Sequence, residues 1–307
     1  MRAIAYSRYG GPDVLELADL PMPKVGPDSV LIRVKAAAVN PVDWKVREGY
    51  LDGLMDVHFP VVPGWDVAGV VEQVGLDTPE FSVGDEVYGY VRKDWVQAGT
   101  FAEHVAAPVR TLARKPASLS FEEAAAVPLA GLTAYQSIGR AGVRDGQVVL
   151  VHAAAGGVGS FAVQIAKSRG ARVIGTASET NHDFLRTLGA EPVSYGPGLV
   201  ERVRSLAPHG VDVVLDYVGG EAVATAPDVM AGSGVIVSIT DAAARDELGG
   251  HYMWVRPDSA GLDALARLAD DGALRAEVAQ VFDLADTAAA HQASQTGHVR
   301  GKVVVRI

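Results

Sequence analysis

The chain has 307 residues, 49% of them hydrophobic and 21% charged, a globular composition long enough for two domains or one large one. Lys and Arg number 27 against 37 Asp and Glu, and the net charge of −10 argues against non-specific nucleic-acid binding. Cysteine is absent, which excludes disulfides, thiolate catalysis and Cys-ligated zinc. No apolar run reaches the roughly 18 residues of a membrane span, and none of signal-peptide length precedes Gly10-Gly11-Pro12. A cytoplasmic protein, with neither nucleic acid nor membrane as partner, is the expectation.

The first 115 residues are expected to be β-rich. RAIAYS, SVLIRVKAAAVN, VAGVVEQVG, DEVYGYV and TFAEHVAA are short apolar or alternating runs separated by turn signals, which suggests a small antiparallel barrel-like unit. Near residue 120 the rhythm changes. SFEEAAAVPLAGLTAYQSI has helical period, with Ser120 and Glu123 placed as a capping box. Strands and helices then alternate: QVVLVHA, GVGSFAVQIAKSRG, ARVIGTAS, HDFLRTLG, VERVRSLA, VDVVLDYVG, EAVATAPDVM and GVIVSIT. Strands this apolar, interleaved with helices, indicate a parallel sheet covered on both faces. SAGLDALARLADDG predicts a further helix, and EVAQVFDL to GKVVVRI two short strands around another.

The segment 148-VVLVHAAAGGVGSFAVQIAKSRGARVIGTAS-178 carries the strongest motif. A buried strand runs into small residues and glycines, a helix follows, then a second strand. This is the context in which glycines let backbone N–H groups approach a pyrophosphate at a helix N-terminus. Ala155, Gly156, Gly157 and Val158 are the expected cofactor contacts. Readers of NAD place an acid at the end of the second strand. Here that position is Ala177, while Ser178 and Asn181 are available to a 2′-phosphate, so NADPH is the expected cofactor. Arg186 lies further along, and Glu179 is an unfavourable neighbour.

The order of parts, together with 40-NPVDWKVREG-49, 63-PGWDVAG-69, 82-SVGDEVYG-89, 127-VPLAGLTAY-135, 153-AAAGGVGS-160 and 297-GHVRGKVV-304, resembles the medium-chain dehydrogenase/reductase superfamily. Within it the chain is similar to the zinc-independent quinone oxidoreductase branch, whose members include zeta-crystallin-like proteins and enone reductases. The resemblance implies an α/β protein. A GroES-like β-rich barrel domain would be built from residues 1–118 and 258–307, and a Rossmann-type doubly wound parallel-sheet domain from residues 119–257. Zinc members carry Gly-His-Glu where this chain has Gly64-Trp65-Asp66, and Cys where it has Asn40. No metal site is therefore expected, and residues 63–69 are expected to line the substrate cleft, with Asp66 a hydrogen-bonded structural acid.

The resemblance further implies hydride transfer from NADPH to a quinone or an α,β-unsaturated carbonyl compound. The protein would supply orientation and donors to the acceptor oxygen. Asn40, Lys45 and Tyr50 are the catalytic candidates, and Asp43 belongs to the same nicotinamide-facing segment. Each has a structural alternative: Asn40 as a turn former before Pro41, Lys45 as a solvated charge, Tyr50 as a rim aromatic. Thr133 resembles the residue facing the nicotinamide ribose, Tyr195 is a candidate for stacking near adenine, and Val218, Thr240 and Val255 are expected to border the nicotinamide. Two other functions stay open: a pathway-specific enoyl or polyketide tailoring reductase, and a crystallin-like NADPH-binding protein with little turnover. The apolar strand 234-GVIVSIT-240, expected as the last parallel strand or close to it, suggests a homodimer through that edge. The alternative is that 251-HYMWVR-256 covers the edge within one chain.

Overall fold

The computed structural model describes residues 1–307. The chain opens with β1 (Arg2–Ala5) and β2 (Glu16–Asp19), an antiparallel pair. In β3 (Ser29–Val39), 11 residues long, only Arg33 and Lys35 interrupt the apolar run and only they are partly exposed. α1 (Pro41–Arg47) follows, with Pro41 at the first helical position, where its missing N–H is not needed. Next come β4 (Asp56–Val62), β5 (Asp66–Val74), β6 (Glu86–Tyr90), β7 (Trp95–Ala98), β8 (His104–Pro108) and β9 (Leu112–Arg114). Two helices then replace the single run that the sequence suggested, α2 (Phe121–Ala126) and α3 (Pro128–Ala141). Pro128 has no N–H to continue the ladder, so the helix breaks before it. The capping box at Ser120 forms, with Ser120 N–H donating to Glu123 Oε2 at 2.9 Å and Glu123 N–H to Ser120 Oγ at 3.2 Å.

The alternating part contains β10 (Val148–Val151), α4 (Gly157–Ser168), β11 (Arg172–Ala177), α5 (His182–Thr187), β12 (Glu191–Ser194), α6 (Leu199–Leu206) and β13 (Val211–Asp216). It continues with α7 (Glu221–Ala224), α8 (Ala226–Val229), β14 (Met230–Ser238), α9 (Ala243–Asp246) and β15 (His251–Tyr252). The run EAVATAPDVM is two short helices, not one, because Pro227 again withholds an N–H. The chain ends with α10 (Ser259–Asp270), β16 (Val278–Asp283), α11 (Thr287–Gln295) and β17 (Lys302–Arg306).

Two compact units result. The first comprises Met1–Leu132 and Pro257–Ile307, the second Thr133–Arg256, and the division falls inside α3. In the first unit one sheet runs β16-β17-β3-β5-β6-β9, with β8 also on β3. All its pairings are antiparallel except that of β16 with β17. Its core is Val30, Ile32, Val34, Val67, Val71, Val87 and Leu112, and α2 packs on β3 and β5. This is the β-rich domain that the resemblance implied. In the second unit β12-β11-β10-β13-β14-β15 form a wholly parallel sheet, as the unbroken apolar strands predicted. β15 adds a short outer strand, with Val237 opposite His251 and Ser238 opposite Tyr252, so strand pairing there reaches only the last two residues of β14.

Candidate functional site

In the second unit β10 ends in Val151, and the turn to α4 passes through Ala153, which has a positive φ of 52°. Two backbone bonds hold that turn: Ala154 N–H donates to Thr176 O at 2.9 Å, and Gly156 N–H to Ala153 O at 2.9 Å. The Thr176 hydroxyl of β11 accepts from Ala153 N–H at 3.1 Å. Gly156 caps α4, Gly157 and Val158 form its first turn, and these three are half-buried while Ala155 is buried. At Gly159 a Cβ would stand 2.2 Å from Ala153 O, so only glycine allows the helix to start this close to the strand. His152 is buried beside the loop, its Nδ1 3.5 Å from Thr176 Oγ1, and burial lowers its pKa. The sequence-predicted phosphate residues are thus one turn. Its close-packed glycine and 12-residue helix fit a pyrophosphate.

At the end of β11, Ala177 is buried and three polar side chains gather after it. Asn181 Nδ2 donates to Ser178 Oγ at 3.2 Å, and Ser178 Oγ lies 2.9 Å from Thr180 Oγ1. Thr180 was not among the predicted residues. Arg186 is bonded to Asp183 at 2.6 Å on the exposed face of α5. Tyr195 is 62% exposed. Its loop is held by Arg202, which donates to the carbonyls of Ser194 (3.0 Å), Pro197 (2.9 Å) and Gly196 (3.2 Å).

Asp216, which the sequence did not single out, organises the ends of β13 and β14. Fully buried, it accepts from the N–H groups of Val218 and Gly219, each at 2.9 Å to Oδ1. Its Oδ2 accepts from Ser238 Oγ at 2.6 Å and Thr240 Oγ1 at 3.2 Å. Val218 is 58% exposed, while Met253 and Val255 are buried, and Met253 N–H donates to Ser238 O at 3.0 Å. Thr133 is buried in α3.

The first unit holds the other candidates. Asn40 precedes α1 and is 1% exposed. Its N–H donates to Asp43 Oδ2 at 2.8 Å, and Asp43 N–H returns to Asn40 O at 2.9 Å. Both ends of its amide are engaged, Nδ2 donating to Asp66 Oδ2 at 2.9 Å and Oδ1 accepting from Lys302 Nζ. Asp66 is wholly buried and accepts from Leu129 N–H at 2.8 Å, the hydrogen-bonded acid that the sequence suggested. Burial pushes the Asp43 carboxyl up to about 7 and the Asp66 carboxyl up to about 6, against the opposing pull of Lys302, whose own pKa burial lowers. Lys45, by contrast, is exposed and lies 5.5 Å from the Trp44 ring, and Tyr50 is 71% exposed. α1 is fastened from its far end: the buried Arg47 guanidinium donates to Gly10 O at 3.0 Å and meets His291 Nδ1 of α11 at 2.9 Å and Glu48 at 2.7 Å.

Beside this cluster a small recess opens, lined among others by Asp43, Trp65, Val91, Lys93 and Trp95. Gly64 borders it with a φ of 93°, and a Cβ there would meet Thr100 Oγ1 at 2.5 Å. Lys93 lies 6.0 Å from the Trp95 ring, and burial lowers its pKa. Neither Lys93 nor Trp95 was predicted from the sequence. A cue lies in the pairing of a lysine with a tryptophan two residues on, within the short segment Tyr90 to Thr100.

Comparison with known proteins places the chain. The model of the alcohol dehydrogenase GroES-like domain matches residues 26–117, and that of a zinc-binding dehydrogenase matches residues 188–305. A chloroplastic NADPH-dependent alkenal/one oxidoreductase of Arabidopsis thaliana is 36% identical over 99% of this chain and 79% of its own. A 2-methylene-furan-3-one reductase of Solanum lycopersicum is 41% identical over 79% of this chain, and the match spans 63% of that protein. The solved structure of the quinone oxidoreductase from Coxiella burnetii superposes with a TM-score of 0.88 at 36% identity, covering 100% of this chain and 99% of that one. The chain belongs to the medium-chain dehydrogenase/reductase superfamily, with a GroES-like and a Rossmann-like part. It is an oxidoreductase using a nicotinamide cofactor.

Proposed function

We propose that the protein transfers hydride from NADPH to a quinone or to an alkene conjugated with a carbonyl group. The observation that carries the reading is the turn of residues 153–159, packed so closely at Gly159 that a pyrophosphate can approach the N-terminus of α4. The choice of NADPH over NADH rests on the group after β11. Ser178, Thr180 and Asn181 offer hydroxyl and amide donors where an acid would select a free ribose hydroxyl. The nicotinamide supplies the hydride when the cofactor is bound. Val218, Thr240 and Val255, on strand ends that Asp216 and Ser238 organise, are the residues proposed to border it, with Thr133 contributing and Tyr195 beside the adenine, while Asp43 is proposed as part of the acceptor recess.

The acceptor is proposed to lie across the mouth of the recess of the first unit, which is itself too small to enclose it. Two indoles and Val91 suit a flat conjugated molecule, and the Lys93 ammonium suits the oxygen on which negative charge develops. Lys45 and Tyr50, both exposed, are proposed as further donors to the acceptor. Asn40 is better placed to shape this wall than to touch substrate, since its amide is already paired at both ends. Zinc does not fit the positions at which the sequence resemblance would set its ligands, Asn40, Trp65 and Asp66. An indole cannot ligate a metal, and Asn40 and Asp66 are bonded to one another. The chemistry is accordingly proposed to be metal-independent.

Assembly is proposed as a homodimer on β14, where β15 pairs only with Val237 and Ser238. Light scattering is expected to report twice the mass of one chain, and the mass of a single chain would refute the dimer. No helix is long and apolar enough to cross a membrane, and a cytoplasmic setting is proposed. The functional reading is tested by following NADPH oxidation, after prolonged chelation, with a panel of quinones and enones. Turnover is expected. Tight NADPH binding without turnover on any acceptor would instead favour a binding protein.

A further inference from the structure

Lys302 is the single charged residue inside the buried stretch of β17, and it is 5% exposed. Its Nζ donates to Val39 O at 3.0 Å and to Asn40 Oδ1. The Asn40 amide passes the connection on, from Nδ2 to Asp66 Oδ2 at 2.9 Å, and the second oxygen of Asp66 takes Leu129 N–H at 2.8 Å. An amide therefore bridges an ammonium on one strand and a carboxylate on another, deep in the first unit. Stability alone does not account for such a trio, because well-packed apolar side chains in place of a buried ion pair are commonly as stabilising or more so. What the trio does fix is the plane of the Asn40 amide. Asn40 in turn opens α1 and holds Asp43 by its own N–H at 2.8 Å. Asp43 and Trp65, the neighbour of Asp66, both line the recess.

Resting on the reductase reading above, we propose that Lys302 is a positioning residue: through the Asn40 amide it sets the turn that opens α1 and holds Asp43 and Trp65 as one wall of the acceptor recess. The groups facing the cluster are Lys302 from β17, Asp43 from α1, Asp66 from β5, and the hydroxyls of Tyr6 and Tyr90, with Arg92 beside Tyr90. Lys302 and, at Tyr90, Arg92 are the positive members. Burial has already raised both carboxyls, and Lys302 opposes that rise at each. The cluster therefore takes up a proton just below neutrality, and loss of the ammonium moves that event to higher pH.

The test is a pH titration, from acid to mildly alkaline, of the Asn40 side-chain amide resonances, identified by their loss in Asn40→Asp. In the wild type the midpoint is expected between the values of the two carboxyls, about 6 and about 7. Lys302→Gln keeps a donor but removes the charge, and the midpoint should rise by about one unit or more. Lys302→Met removes the donor as well. Its kcat should fall about tenfold or more with the KM for NADPH changed by less than about twofold, because a displaced wall misplaces the acceptor and not the cofactor. An amide silent to pH in the wild type, or an unmoved midpoint in folded Lys302→Gln, overturns the proposal. Should neither variant fold, the wild-type titration decides alone. Turnover of the acceptor panel by the wild type is measured beside it. Turnover with a silent amide overturns the positioning role and leaves the reductase reading, whereas a titrating amide without turnover overturns the reductase reading.

Discussion

Gly159→Ala is the sharpest perturbation of the nucleotide turn. The added methyl would stand 2.2 Å from Ala153 O, 2.7 Å from Ala154 Cα and 2.8 Å from Ala153 C. Carbon contacts are comfortable from about 3.5 Å, so the backbone on one side must retreat by about 1 Å. The atoms met belong to main chain and not to a flexible side chain, and no rotamer change relieves them. Overpacking of this kind costs about 1–3 kcal/mol. The displaced segment also carries the N–H groups proposed to hold the pyrophosphate, so NADPH affinity should fall about tenfold to a hundredfold. Gly139→Ala supplies the control. That glycine lies inside α3 with open space around its Cβ position, and alanine there should stabilise by roughly 0.5–1 kcal/mol without touching affinity. Nucleotide titration by fluorescence, with melting curves of both variants, makes the comparison. A folded Gly159→Ala protein that binds NADPH within about twofold of the wild type would refute the placement of the cofactor on this turn.

Three further outcomes are expected. Wild-type protein should bind NADPH at least about tenfold more tightly than NADH, and Ala177→Asp should narrow or reverse that ratio in calorimetric titrations; equal wild-type affinities would remove the argument. Lys93→Met should raise the KM for a quinone or enone by about tenfold while NADPH affinity stays put, and an unchanged KM would exclude the ammonium from the acceptor recess. Asp43 is held at about 7, above its ordinary value of 3.8, so between these values the folded protein keeps a proton that the unfolded chain has released. Its contribution to stability is therefore complete below the ordinary value and is lost as pH rises through about 7. Asp43→Asn should flatten the fall in melting temperature across that window, and parallel curves for wild type and variant would contradict the assignment.

The fold was legible because its signals are local. The strand–glycine–helix–strand run of residues 148–178 announces a parallel sheet in one contiguous stretch, and Pro12, Gly64 and Gly84 punctuate the β-rich half. Breaks inside apparent helices were harder to place. Pro128 and Pro227 sit within apolar periodicity, and the period hides the missing N–H. β15 entered only as the alternative by which residues 251–256 cover the strand edge, since two residues carry no periodicity of their own. Much of the candidate site escaped for a different reason. Lys302 reads as an ordinary strand lysine, since its partner Asn40 is 262 positions away in sequence and long-range pairing leaves no mark on local pattern. Arg47 similarly meets His291 across 244 positions. Asp216 ends a strand like many other acids, and only the fold brings Ser238 and Thr240 to it. Asp66 was legible as a structural acid by elimination, once Trp65 and the lack of cysteine had removed a metal; its partners were not.

The most direct test follows the hydride itself. NADPH carrying deuterium at the transferable position of the nicotinamide is incubated with the purified protein and an α,β-unsaturated ketone, and the product is examined by mass spectrometry and NMR. The account predicts one deuterium on the β-carbon of the saturated ketone, with a solvent proton on the α-carbon. Failure of the protein to oxidise NADPH with any quinone or enone, or oxidation that leaves no label on that carbon, would contradict it.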